Sequence, residues 1–265
     1  MESHDPTPTD GIAFLASGSR GNATLVHADG RGVLVDCGIS ARECRRRIAE
    51  AGLAGVVIEA VLLTHEHSDH LRGVRVLSRS LGVPVYGTRG TLVAVNTELD
   101  DVPDLIALRA GDSMTVAGLR IQVLRTSHDA AEPVGFRVQT PRGGVVGLAT
   151  DTGVLTPECA EALVDCDILG IESNHDLEML EVGPYPYFLK QRILSDRGHL
   201  SNKHAAGALE RLASDRLHTV VGLHLSEQNN LPGIARGTLA ATASSLGLSI
   251  EVRTACQTRA VVCAL

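Results

Sequence analysis

The chain has 265 residues, enough for one large domain or two small ones, and its 44% hydrophobic and 21% charged residues exclude a disordered polymer. A net charge of −7 argues against a protein that coats nucleic acid by bulk positive charge, although it leaves room for a local basic groove. Six cysteines, at 37, 44, 159, 166, 256 and 263, stand dispersed without a CxxC pair; they suit neither a disulfide scaffold nor a zinc ribbon, and fit reduced thiols in a cytoplasmic protein.

Residues 1–10, MESHDPTPTD, are polar and proline-bearing and read as a flexible tail ahead of one domain over 11–265. Neither they nor any later run resembles a signal peptide or a membrane span, so no membrane association is expected. From Gly11 come three short strands, GIAFLAS, NATLVHA and GVLVDCG, with the turn SGSRGN between the first two. Ser40 caps a helix through ARECRRRIAEA, which Gly52 stops. IEAVLLT reads as a buried strand that runs into HEHSDH, and DHLRGVRVLSRSLG as a helix ending at Gly82 before PVYG. Residues 105–150 are strand after strand. A second αβ stretch follows, with the helix TPECAEALVDC, the strand DILGIES and a helical region across 175–213. It closes with HTVVGLHL, the helix PGIARGTLAATASSLG and two final strands. Strands in the middle with helices flanking both halves predict an α+β fold, a four-layer αββα sandwich in a single domain. With aromatics at 2% and no Trp, its core must be Val, Leu, Ile and Ala.

THEHSDH carries the chemistry. His65 and His67 are two apart on chain leaving a strand, so both imidazoles can point the same way. Asp69 and His70 fall where a helix begins, turned from the first pair, which suits two adjacent ions better than one. All four are N or O donors, compatible with zinc, manganese or iron rather than a thiolate site. Three residues that close apolar strands are candidates to complete the coordination: His128, Asp151 and His224.

HEHSDH, SHD, ATDTG and HLSEQNN, in this order, resemble the successive motifs of the metallo-β-lactamase fold superfamily. LASGSRGNATLV, HDAAEPVGF, IESNHDLEML and GPYPYFLKQRILSDRGHLSN narrow the resemblance to its YycJ/WalJ-type branch, regarded as bacterial DNA exonucleases. The resemblance implies one ion on His65, His67 and His128 and a second on Asp69, His70 and His224, with Asp151 bridging. It also implies that Asp36 supports the metal loop from behind.

Two divalent ions, zinc or manganese, bridged by a carboxylate can share a hydroxide at neutral pH and polarise the bond it attacks. This machinery serves phosphodiesters, lactones and thioesters alike, so the substrate is argued from GHLSNKHAAGALERLA. There His199 approaches a helix N-terminus, where an anion is favoured and an imidazole can protonate a leaving alkoxide. His199 is also similar to the His–Ser/Thr block of the tRNA 3′-processing nucleases. Asp69, Asp151 and His199 are therefore the residues expected to act in the chemistry. Ser19 and Asn22 in the glycine turn, with His175 in SNHD, are candidate substrate contacts. The run Arg42, Arg45, Arg46 and Arg47 reads either as a phosphate track or as a solvated helix face. Tyr185, Tyr187 and Phe188 read either as a stacking surface or as a packing cluster. The expectation is a phosphodiesterase acting on DNA from a 5′ end. An RNA-processing nuclease or a small ester, lactone or thioester hydrolase are the alternatives.

Overall fold

The computed structural model describes residues 10–265. The expected tail lies outside the described residues except for Asp10, which is buried, pairs with Arg142, and accepts the Leu265 amide hydrogen at 2.9 Å through its carbonyl. In chain order the first half holds β1 (Gly11–Ala16), β2 (Ala23–Ala28), β3 (Arg31–Val35), α1 (Ala41–Glu50), β4 (Val57–Leu62), α2 (Ser68–Leu71), α3 (Val74–Leu81), β5 (Val85–Thr88), α4 (Arg89–Ala94) and β6 (Leu105–Leu108). The central strands are β7 (Ser113–Val116), β8 (Leu119–Arg125), β9 (Val134–Gln139) and β10 (Val145–Ala149). Then follow α5 (Pro157–Ala162), β11 (Ile168–Glu172), α6 (Leu177–Val182), α7 (Tyr187–Leu194), α8 (Asn202–Leu212), β12 (Thr219–Leu223), α9 (Pro232–Ser245), β13 (Glu251–Thr254) and β14 (Val261–Ala264).

The strands form two seven-stranded mixed sheets, β14-β1-β2-β3-β4-β5-β6 and β13-β12-β11-β10-β9-β8-β7. Period-two alternation explains how they layer. In β1, Ile12 and Phe14 join the core between the sheets, with Phe136, Val146 and Leu148 opposite, while Ala13 and Leu15 pack outward beneath α1 and α3. In β10, Val145 and Ala149 face a third core that includes Leu163, Leu209 and Leu239 from the helical side. Both faces of each sheet are thus covered, which is why these strands read as unbroken apolar runs. The result is the expected αββα sandwich, a single domain.

Two helical assignments differ. The helix expected over DHLRGVRVLSRSLG is two, α2 and α3, broken at Gly73, where a Cβ would meet the Ile39 carbonyl oxygen at 2.1 Å. The helical region across 175–213 is three helices, with GPYP separating α6 from α7. Sequence reasoning missed α4, whose N-cap Thr88 accepts the Thr91 amide hydrogen. No helix among the described residues is long and apolar enough to cross a membrane.

The parallel strands matter for position. β3 and β4 in one sheet run parallel to each other, as do β10, β11 and β12 in the other. Their C-terminal ends meet at one rim, the usual place for a site in sheets of this kind.

Candidate metal centre

Buried β4 delivers the chain to that rim, and His65, His67 and His128 gather there with ring centroids 4.5 to 5.0 Å apart. Their donor atoms lie within 4.8 Å of one another, as do those of a second trio, Asp69, His70 and His224. Asp151 stands between the trios, with Oδ2 3.4 Å from His70 Nε2 and Oδ1 3.0 Å from His224 Nδ1. The structure thus brings together all seven residues singled out in the sequence. Asp36, Asp151 and His224 follow β3, β10 and β12 in left-handed backbone conformation, with φ of 58°, 49° and 50°. Such φ values are uncommon outside glycine and collect at functional sites.

What holds the imidazoles is as informative as where they are. Asp36 accepts the Thr64 amide at 2.9 Å, the Thr64 hydroxyl at 2.7 Å and His70 Nδ1–H at 2.7 Å. The same hydroxyl oxygen is 3.0 Å from His65 Nδ1. The Gly198 carbonyl accepts from His128 Nδ1 at 3.0 Å. Four rings, those of His65, His70, His128 and His224, therefore have Nδ1 occupied, which leaves Nε2 as the donor toward an ion. The Asp36 support implied by the family resemblance has these contacts behind it.

Glu172, at the end of β11, is the residue that sequence reasoning missed. It is fully buried; Oε2 accepts the amides of Thr152 at 2.8 Å and Leu200 at 3.1 Å. Its Oε1 lies 2.7 Å from His199 Nδ1 and 3.1 Å from His224 Nδ1. The available signal was an acidic residue closing the apolar run DILGI, the same pattern that marks Asp36 and Asp151.

Three substrate assignments need correction or narrowing. Asn22 does not face the substrate side: its Oδ1 accepts the Gly18 amide at 2.9 Å, and its Nδ2 lies 3.2 Å from Asp69 Oδ2 and 3.0 Å from His70 Nε2. It braces the ligands instead. The turn around it is no phosphate cradle either, because the amides of Gly18, Arg20, Gly21 and Asn22 are all spent on partners within the protein. Only Ser19 of that turn is exposed beside the centre. His175 is buried, and neither ring nitrogen has a hydrogen-bond partner among the described residues. Burial drives its pKa down to about 4, and its carbonyl accepts the Asn202 amide at 2.8 Å, so its role is to tie the β11 exit to α8. Within the arginine run, Arg46 pairs with Glu43 and Glu50, and Arg47 donates to Glu43 at 2.7 Å and to the Leu15 carbonyl at 2.8 Å, while Arg42 and Arg45 are exposed on α1.

The electrostatics suit cations. Burial pushes His65 well below, and His128 below, the usual imidazole range, so both are neutral donors at pH 7. Burial opposes charge on His70 and His224 as well, yet Asp151, with Asp36 beside His70 and Asp69 and Glu172 beside His224, raises both. The same carboxylate field that holds a proton there would hold a divalent ion in its place. His65 Nε2 and His224 Nε2 are buried with no hydrogen-bond partner among the described residues, the condition expected of atoms meant for a metal. The residues present fit two N/O-ligated ions.

Beside the centre lies a cleft of about 220 Å³, lined by Ser19, Ser226, Tyr185, Arg192 and His199 among others. His199 is partly exposed, with its ring centroid 4.9 Å from that of His128. A larger cavity of about 730 Å³, between β8 and α5, holds none of the candidate residues.

Comparison with known proteins agrees with this geometry. The profile of the "Beta-lactamase superfamily domain" matches residues 31–224. The chain is 34% identical over 241 residues to exodeoxyribonuclease YycJ of Bacillus anthracis, covering 90% of this chain and 91% of the relative. It is 35% identical over 245 residues to exodeoxyribonuclease WalJ of Streptococcus pneumoniae, covering 91% and 90%. Among solved structures, the metallo-β-lactamase fold protein YhfI from Bacillus subtilis superimposes with a TM-score of 0.71 at 17% identity, covering 96% of this chain and all of the other.

Proposed function

The chain belongs to the metallo-β-lactamase superfamily, alongside the YycJ and WalJ exonucleases, and is a hydrolase of that fold; from this premise we propose that it is a dinuclear metal-dependent exonuclease that removes nucleotides from DNA, starting at a 5′ end. His65, His67 and His128 would hold one zinc or manganese ion, Asp69, His70 and His224 the other, and Asp151 both. When bound, the ions supply an activated water and polarise the phosphodiester. Localisation in the cytoplasm belongs to the same proposal, and six free cysteines support it.

The observation that carries the nuclease reading is the His199–Glu172 pair at the cleft wall, 2.7 Å between Nδ1 and Oε1. Burial disfavours charge on His199, but the Glu172 carboxylate raises its pKa, which favours the protonated ring that a general acid needs. With Nδ1–H engaged by Glu172, Nε2–H is the one left to reach a leaving oxygen. An alkoxide released from a phosphodiester needs such a proton; the ring then stays neutral, still donating from Nδ1. Ser19, Ser226 and Arg192 line the path where the phosphate and sugar would lie.

His199→Ala is therefore expected to lower kcat on labelled DNA by about 10²- to 10⁴-fold while leaving metal content unchanged. On a p-nitrophenyl nucleotide ester, whose leaving group needs no proton, the loss should be much smaller. Equal losses on both substrates, or loss of metal, would show that His199 is not the acid. Unlabelled RNA competing as well as DNA would favour the RNA-processing alternative.

A further inference from the structure

We infer that Phe188 is a stacking platform for an unpaired base, so that the strand leaving the metal cleft is read as a single strand across the rim of α7. The inference rests on the nuclease reading above and names what its substrate looks like one step from the scissile bond.

The chain has six aromatic residues besides histidine and no tryptophan. Phe14 and Phe136 are fully buried, and Tyr86 packs against the core. The other three crowd into residues 185–188, beside the candidate centre. Val182, Tyr187 and Phe188, at 79%, 77% and 73%, are the most exposed large apolar side chains among the described residues. A packing cluster would hide them, so the packing reading of this segment fails for Tyr187 and Phe188.

Helix geometry separates the two. Leu189, Arg192 and Ile193 line the cleft together with His128 and His199, which defines the inward face of α7, and Tyr185 lines it just ahead of the helix. Phe188 precedes Arg192 by four residues, so the two are neighbours along the helix surface at the cleft's edge. Helical side chains lean toward the N-terminus, which tilts Phe188 toward the Tyr185 end of that edge. Tyr187 falls on the opposite face, where it borders a separate apolar hollow with Leu177, Leu180 and Leu194. Arg192, one helical turn after Phe188, is anchored to Asp129 through Nε and is 60% exposed.

An exposed ring one helical turn from an anchored guanidinium, on the helix that walls the cleft, matches how proteins bind single strands. Bases stack on the ring while the cation follows the phosphates. Inside a duplex both faces of a base are already stacked on its neighbours, so an exposed ring takes a base of a single strand. A strand leaving the cleft on the α7 side carries its next nucleotide over the rim that Phe188 occupies.

The missing tryptophan makes the test direct. Phe188→Trp introduces a single indole whose emission a stacked base quenches. Titrating this variant with short single-stranded DNA should quench it, whereas an abasic strand of equal length and charge should not. The intact strand should bind about five-fold tighter or better. Tyr187→Trp, on the far face, should respond to neither. Equal response to both strands, quenching of Tyr187→Trp alone, or a shift that follows protein concentration instead of DNA would overturn the proposal, the last by assigning the rim to a second copy of the chain. Nucleotide release by the metal-loaded wild-type protein is followed in parallel. Release without selective quenching removes the stacking role only; neither release nor binding removes the nuclease reading with it.

Discussion

Asp151→Ala is expected to abolish nucleotide release, by about a thousandfold or more, and to leave the protein with less than its full complement of metal. Asp151 is 2% exposed and fixed in a left-handed conformation after β10. It touches the second trio, 3.4 Å from His70 Nε2 and 3.0 Å from His224 Nδ1, and its ligand atom also lies within 4.8 Å of that of His65 in the first. Burial opposes its charge, but His224 and His70 hold its carboxyl well below the usual range. Removing it leaves the buried His70 and His224 with only Asp69 between them, its Oδ2 3.5 Å from each Nε2. Asp151→Asn keeps the shape and removes the charge alone, so it should retain the fold while losing the ions. Metal per chain by plasma mass spectrometry and release from end-labelled DNA are the readouts. A variant that keeps two ions and turns over within tenfold of wild type would remove Asp151 from the shared position.

Glu172→Ala should be the most damaging change outside the seven candidate ligands. It strands the amides of Thr152 and Leu200 in the interior and deprives both His199 and His224 of the carboxylate between them. Breaking a buried charged network in this way costs about 3–5 kcal/mol, which for a chain of this size lowers Tm by about 10 °C. Turnover should fall further than stability explains, because His199 loses the partner that fixes its proton on the outward nitrogen. Glu172→Gln keeps an acceptor for a backbone amide and most of the shape, so it should recover much of the Tm but little of the turnover. Thermal melts of the two variants separate these effects. Wild-type Tm and turnover in Glu172→Ala would make the residue a bystander.

These two residues also mark where the sequence could and could not be read. His65, His67, Asp69, His70, His128, Asp151 and His224 were legible because each closes an apolar strand or opens the helix after one, and strand ends at one rim must meet. The sandwich was legible for a related reason: its strands are covered on both faces and appear as continuous apolar runs. Glu172 closes a strand too, but its partners lie 27 and 52 residues away in sequence, and nothing local shows which histidines it holds. Asn22 was misread because a glycine turn of this composition suggests free amides, whereas tertiary contacts consume them. One of those contacts depends on Gly38, where a Cβ would sit 1.5 Å from the Asp69 carbonyl oxygen, so the α2 loop packs directly on backbone. Helix α4 escaped notice because RGTLVA contains β-branched residues and glycine, which have weak helix preference, and its capping supplies what propensity does not.

The most direct test of the account is a metal add-back. Protein stripped by chelator is titrated with zinc or manganese while release of nucleotide from 5′-labelled single-stranded DNA is followed. The account predicts no release without metal, a rise that levels off at about two equivalents per chain, as a two-ion site requires, and label appearing as mononucleotide from the first cleavage. Protein carrying two ions of either metal that releases no nucleotide, while hydrolysing a chromogenic ester, would contradict it.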